Sequence, residues 1–392
     1  MATVSEESRI SSVDVMRGLV MVLMTIDHVR DFFGGASVNP TDLRTTTVAL
    51  FLTRWITHLC APTFFFLTGV SAWLSARRHP DGFASHLVKR GLWLIVLEVV
   101  VMRCLAYQFN FDFRVTLLFI LWALGWSMIV LAGLSRWRPG VALAFGATMI
   151  VTHNLLDGVS AQALGWGAPL WTVLHAPGLL LAGPDHFVLA AYSLVPWVGV
   201  TALGYGMAPI FTWEPARRRQ LLARGGAALL LGFLALRALN GYGDPLPWST
   251  QRSPVFTVLS FLNTTKYPPS LSFLLMTLGP LFLLLRALDR GALRLLHAVA
   301  VLGRVPLFYF VLHIVLIHLL ALVICFARYG EIHWVFESPT LADFPFREPP
   351  GWPLALPWIY VLWVVVVAAL WPLCRWFAEV RSRRREWWLR YL

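Results

Sequence analysis

The sequence predicts an all-α, polytopic transmembrane helix bundle of about ten spans, with both termini cytoplasmic. Three observations carry that expectation. Of the 392 residues, 58% are hydrophobic and 13% are charged, about half the charge of a soluble domain. Apolar runs of about 18 residues or more recur along the whole chain, the length that crosses a ~30 Å hydrocarbon core. Nineteen Trp are available for the aromatic belts at the two interfaces. No water reaches the backbone in that core, so each run is expected to pair its own N–H and C=O groups as a helix.

The spans read 17–34, 51–75, 90–107, 115–134, 140–156, 187–211, 225–240, 270–287, 298–326 and 356–379. The stretch PLWTVLHAPGLLLAG, near 169–183, is apolar but short and interrupted by Pro177. It suits a re-entrant or interfacial segment, an eleventh element that does not span. The basic clusters Arg77-Arg78, Arg217-Arg218-Arg219 and Arg383-Arg384-Arg385 fall in alternate loops. The positive-inside bias places those loops, and both ends of the chain, on the cytoplasmic side. The opposite loops include GYGDPLPWSTQRSP and ESPTLADFPFREPPGWPLALPW, whose Pro, Gly and aromatic content suits a structured rim. No repeat or low-complexity tract interrupts the pattern, so residues 1–392 read as a single transmembrane domain.

The net charge of +12 sits in short clusters between apolar runs. Topology accounts for it, and nucleic acid is not an expected partner. Cys60, Cys104, Cys325 and Cys374 all fall within apolar runs without metal-type spacing, so neither a disulfide framework nor a metal is expected. The opening MATVSEESRISSVDVMRG is polar and acidic rather than basic, so the first run is expected to stay as a helix rather than be cleaved as a signal peptide. Only Lys89 and Lys266 among the basic residues are Lys. The Arg-rich usage and the uncleaved start point to a bacterial inner (plasma) membrane.

Ionisable groups inside a span are costly and are functional candidates by default. They concentrate near the start of the chain. In RGLVMVLMTIDHVRDFF, Asp27, Arg30 and Asp31 stand at i, i+3 and i+4 and share a helical face bordered by His28. His28 lies eleven residues beyond Arg17, or ~16 Å along a helix, near mid-bilayer. Four such groups in five residues line a wet cavity or form a packing ion-pair network. In LFLTRWITHLCAPTFFFLTGVSAWL, Arg54 and His58 are four apart, on one face, and Pro62 interrupts the backbone one turn later. Thr68, Gly69 and Ser71 allow close helix approach. In SFLNTTKYPPSLSFLL, Lys266 stands beside Asn263, Tyr267 and Ser270, where it can bind an anionic group or snorkel to the interface. Glu98 and Arg103 in the third span are expected to pair with other buried charges. His313 and His318 are five apart, about 140° round a helix, so they do not share a face, which disfavours a bis-histidine haem site.

The blocks RISSVDVMRGLVMVLMTIDHVRDFF and LTRWITHLCAPTFFFLTGVSAWLSARR resemble the opening of bacterial relatives of the heparan-alpha-glucosaminide N-acetyltransferases. TTKYPPSLSFLLMTLGP and GRVPLFYFVLHIVLIH are similar to later blocks of that family, including its Lys-x-x-x-Ser-Leu-Ser pattern at Lys266, Ser270, Leu271 and Ser272. The resemblance implies a transmembrane enzyme that takes an acetyl group from cytosolic acetyl-CoA and gives it to an amino sugar on the other side. The resemblance implies a functional histidine in the loop just after the first helix, but here that loop, GGASVNPTDLRTTTVAL, carries no His, so the chemistry would fall on His28, His58 or both.

Acyl transfer needs a base for the acceptor and positive groups for the thioester oxyanion. On this reading His28, with Asp27 orienting its ring, and His58 are the candidate catalytic residues. Arg30, Asp31, Arg54, Asn263, Lys266, Tyr267 and Ser270 are candidates for the acceptor side. Arg17, Arg90 and Arg304 are candidates for the phosphates of acyl-CoA. The implied partners are acyl-CoA, a carbohydrate acceptor and the bilayer, with a homodimer open. A proton-coupled secondary transporter is the alternative, because the Asp27, His28, Asp31 cluster also suits a proton relay. No pair of interrupted helices in two halves supports it.

Overall fold

A computed structural model describes residues 11–35, 38–107, 111, 114–183, 186–290, 298–337, 345–384, 386, 389 and 391. The acidic opening at 1–10, part of the expected rim at 338–344, and Arg385 lie outside the described residues. The chain is mainly helical. Seven helices among the described residues are long and apolar enough to cross a membrane.

The first helix, α1 (Ser11–Phe33), carries the charged cluster on its second half. One of these seven is a 31-residue helix in two pieces, α2 (Val48–Thr57) and α3 (Cys60–Arg78). Thr47 caps α2 by accepting the Leu50 N–H at 3.2 Å. The break falls at His58–Leu59, one turn before Pro62, which has no N–H to give the His58 carbonyl. The chain continues into α4 (Phe83–Val96), which winds on into a π-helix over Leu97–Tyr107.

Two expected spans begin differently. Residues Val115–Leu118 and Phe187–Ala190 are strands, β1 and β3, rather than the first turns of helices. With β2 (Gly178–Ala182) they form a small sheet in the order β1-β3-β2, β1 parallel to β3 and β2 antiparallel to it. Val115, Thr116 and Val188 favour extended backbone. Their N–H and C=O groups are paired by neighbouring strands, an outcome that an apolar run alone does not distinguish from a helix. The expected re-entrant stretch is accordingly the short helix α7 (Ala168–Leu174) followed by β2. The helices proper start after the strands, at α5 (Ile120–Leu134) and α8 (Leu194–Met207).

Glu98 explains where α5 begins. Its Oε2 accepts the Leu121 and Trp122 N–H groups at 2.7 and 3.4 Å, capping a helix that has no local side-chain cap. The expected charge partner is therefore replaced by a helix N-terminus. Arg103 donates to Thr116 Oγ1 at 2.7 Å and so holds β1.

The remaining elements are α6 (Pro139–Thr152), ending in a tight turn over His153–Leu156, α9 (Pro215–Leu239), α10 (Pro254–Leu262) and α11 (Leu271–Asp289), then α12 (Ala300–Arg304), α13 (Pro306–Tyr329) and α14 (Leu356–Arg383). The expected ninth span is broken at Val305, because the residue before Pro306 is pushed out of helical conformation.

Small residues set the closest approaches. A Cβ on Gly18 would overlap the Val299 carbonyl, and one on Gly303 would overlap the Asp14 carbonyl, so α1 and α12 cross backbone to backbone. Gly69 of α3 meets Thr201 and Tyr205 of α8 in the same way. The core between them holds large aromatics, with Phe65 stacked on Trp197 at 4.5 Å, both fully buried.

Candidate active site

Two cavities are stacked along α1. The larger, about 620 Å³, is lined by the second half of α1 from Met24 to Asp31 and by Gly34 just beyond it, together with Arg54, Lys266 and Tyr267. The smaller, about 340 Å³, takes Arg17 and Met21 from the first half of α1, and Thr68, Ser71 and Ser75 from the far end of α3. Phe64, Ile120 and Phe310 border both. They form an apolar waist between the two chambers. The small sheet supplies part of the wall: Ala191 and Tyr192 both donate their N–H groups to the Leu118 carbonyl, which sets Phe119, Ile120, Ala191 and Tyr192 at the cavity surface.

The charges of the larger cavity form a network. Arg54 ion-pairs with Asp27. Arg30 bridges Asp27 at 3.1 Å and Asp31 at 2.6 Å. Two carboxylates thus meet two guanidinium groups, and the Lys266 ammonium adds a surplus positive charge to the lining. Lys266 is half-buried beside the Tyr267 ring, 5.1 Å from its centroid. Desolvation first, and Arg54 second, hold its ammonium below the ordinary lysine range.

His28 lies in the same wall, and its Nδ1 is 3.7 Å from Asp31 Oδ2. The carboxylate that faces His28 is therefore Asp31, one turn on, while Asp27 is held by the two arginines. The ring of His313 stands 5.1 Å from that of His28, centroid to centroid. His313 Nδ1 donates to the Tyr309 carbonyl at 3.1 Å, and the Tyr309 hydroxyl meets Thr25 Oγ1 at 2.6 Å. Sequence reasoning set His313 aside because it does not share a face with His318. Nothing in its spacing marks it, because the contact with His28 is made between α13 and α1. His318 lies elsewhere: its Nε2 donates to the Val335 carbonyl at 3.0 Å, between Phe32 and Phe346.

His58 and Arg54 do not stay together. The break at His58–Leu59 carries Arg54 into the cavity, and turns His58 into a buried position against Phe273, at 5.3 Å. Asn263 and Ser270 brace the rim rather than line the cavity. Asn263 Nδ2 donates to the Thr41 carbonyl at 3.0 Å, and its own carbonyl accepts from Arg237 at 3.3 Å. Ser270 caps α11 by accepting from the Phe273 N–H and donates to Asp244 at 2.7 Å. Asp244 also accepts from the N–H and hydroxyl of Thr265, at 3.0 and 2.9 Å, so the segment presenting Lys266 is tied down on both sides.

The smaller cavity brings together Arg17, Arg90 and Arg304, and adds Arg381, which sequence reasoning did not single out. Arg17 is positioned by Asp14 at 3.2 Å, the Gly303 carbonyl at 3.2 Å and Ser71. Arg381 donates to the Arg304 carbonyl at 3.2 Å. Four guanidinium groups thus line one chamber, a lining whose chemistry suits a multiply charged anion.

No curated protein matches the chain. A sequence model described as heparan-alpha-glucosaminide N-acetyltransferase, catalytic, matches residues 9–242, which contain α1 to α9 and both histidines of the opening helices. That match covers more than half of the chain, and the protein therefore belongs to the heparan-alpha-glucosaminide N-acetyltransferase family, a family of membrane acetyltransferases.

Proposed function

We propose that the protein moves an acetyl or short acyl group from cytosolic acyl-CoA to an amino sugar, or another glycan acceptor, on the extracytoplasmic side. The observation that carries this reading is the pair of stacked cavities, one lined by four arginines and the other by His28 and its charged network, meeting at Phe64, Ile120 and Phe310. In this reading α1, the α4 π-helical segment and α5 join the seven apolar helices to make ten spans, with both termini and the arginine chamber on the cytoplasmic face. Both chambers take walls from beyond residue 242, at Lys266, Phe310 and Arg381, so the whole chain acts as one unit.

The donor's phosphates are held by Arg17, Arg90, Arg304 and Arg381. The acyl thioester reaches the waist, and the acceptor enters past Arg54, Lys266 and Tyr267. His28 accepts a proton from the attacking amine as the new C–N bond forms, and Asp31 stabilises the resulting imidazolium. The oxyanion that develops on the carbonyl is stabilised by the surplus positive charge of the chamber. Collapse breaks the C–S bond, and the leaving thiolate recovers the proton from His28. An acyl group carried briefly on His28 uses the same atoms in two steps. His58, sealed against Phe273, supports the fold of the break rather than meeting substrate.

Proteoliposomes with acyl-CoA on one side and a panel of amino sugars on the other test this directly. Labelled acetyl should appear on the enclosed acceptor and require both substrates. Acceptor accumulation without acetylation would instead identify a proton-coupled carrier and overturn the reading.

A further inference from the structure

Outside the two chambers, a second cluster has the composition of a metal site. His153 and Asp157, four apart on the turn that follows α6, meet His175 at the end of α7. One ligand atom from each lies within 4.8 Å of the others. His153 and His175 are 1% and 2% exposed. Neither ring nitrogen of His153 has a hydrogen-bond partner. Leaving both buried nitrogens unsatisfied is costly unless something binds there.

The supporting contacts are those that ligands need. His175 Nε2 is already 3.4 Å from Asp157 Oδ1, the ~3.4 Å separation expected of two ligands at ~2.05 Å from a tetrahedral ion. Asn154 Nδ2 donates to the other oxygen, Asp157 Oδ2, at 2.7 Å and fixes the carboxylate. Trp171 packs edge-on to His175 at 4.9 Å and is itself anchored to the Val159 carbonyl at 2.8 Å.

We propose that His153, Asp157 and His175 bind one divalent transition-metal ion, with zinc the best fit to two imidazoles and a carboxylate, and a fourth position left for water. The ion would join the end of α6 to α7. It would also reach the rim of the larger cavity, because Asn154 Oδ1 accepts the Leu271 N–H at 2.8 Å, next to the Ser270 that binds Asp244. Metal binding would therefore stiffen the segment that presents Lys266.

The test uses the full chain in detergent, freed of any histidine tag and stripped with chelator, then titrated with Co²⁺ alone and followed by visible absorption. The expected result is one equivalent with the intense d–d bands of tetrahedral cobalt, displaced by Zn²⁺. His153→Gln and Asp157→Asn should each abolish the bands, and Asn154→Ala should weaken binding by about 10–100-fold. Thermal melts of the stripped variants, matched to stripped wild type, show that folding is not the cause. If a variant fails that control, the other decides. Absence of tetrahedral bands in wild type, or bands that survive in a folded His153→Gln or Asp157→Asn variant, would overturn the assignment.

Discussion

The rings of His28 and His313 face one another across α1 and α13, 5.1 Å between centroids. His313 gives its Nδ1 proton to the Tyr309 carbonyl, so in the neutral ring its Nε2 is an acceptor, and that atom has no hydrogen-bond partner. His28 has Asp31 on its Nδ1 side. The buried ring next to the proposed base thus carries an unpartnered acceptor nitrogen.

Removing His28 should remove general-base catalysis. His28→Ala is expected to lower kcat by about 10²–10⁴-fold, with acyl-CoA binding intact, as measured by isothermal titration and single-turnover transfer. His313→Phe keeps the packing against Tyr309 and removes the acceptor nitrogen. It should lower kcat by about 10²-fold with little change in either KM. Full activity in His28→Ala would reject the assignment of the base.

The arginine chamber should govern donor affinity alone. Each guanidinium–phosphate contact contributes about 1.5–3 kcal/mol, so Arg304→Ala or Arg381→Ala should raise KM for acyl-CoA by about 10–100-fold with KM for the acceptor unchanged. Arg381 is the more discriminating test, since it lies on α14, far beyond the family match at residues 9–242. A rise in acceptor KM instead would reverse the assignment of the two chambers.

Much of this site is legible in the sequence, because helical spacing is local. The i, i+3, i+4 relation placed Asp27, Arg30 and Asp31 together, and they do form one network. Spacing also marked Arg17 as a different level of the same helix. What spacing could not give is pairing between elements. Asp27 is held by Arg30 and by Arg54, which comes from α2, while Asp31 is shared between Arg30 and His28. Arg54 and His58 part company because the missing N–H of Pro62 acts one turn upstream of the proline. Glu98 looked like half of an ion pair, and serves as a helix cap across the loop. The strand at Val115–Leu118 was hidden for the same reason: its partner, Phe187–Ala190, lies some seventy positions away in the chain.

Lys266 predicts a pH dependence. Its ammonium is held below the ordinary 10.5 by desolvation and by Arg54. A depressed lysine is cationic below its own pKa and neutral above it. Its contribution to the affinity of an anionic or oxyanionic group is therefore complete at low pH, and is lost as pH rises through a value lower than that of a free lysine. The alkaline limb of kcat/KM should move upward in Lys266→Arg, whose guanidinium does not titrate in that range. Identical alkaline limbs in the two proteins would remove Lys266 from the site.

The crossing of α1 over α12 makes the sharpest prediction about architecture. A Cβ at Gly303 would sit inside the Asp14 carbonyl, and both partners are backbone, so no side-chain rotation relieves the overlap. The helices must separate, and overpacking of this kind costs about 1–3 kcal/mol or more. The Gly303 carbonyl is also an acceptor for Arg17, at 3.2 Å, and the neighbouring Arg304 lines the arginine chamber. Gly303→Ala should therefore lower the melting temperature in detergent and raise KM for acyl-CoA together. Gly133→Ala, where a Cβ meets nothing within 4 Å, should leave both unchanged. If Gly303→Ala folded with wild-type stability and donor affinity, the close crossing would not be what positions Arg17, and the geometry of the smaller chamber would need another cause.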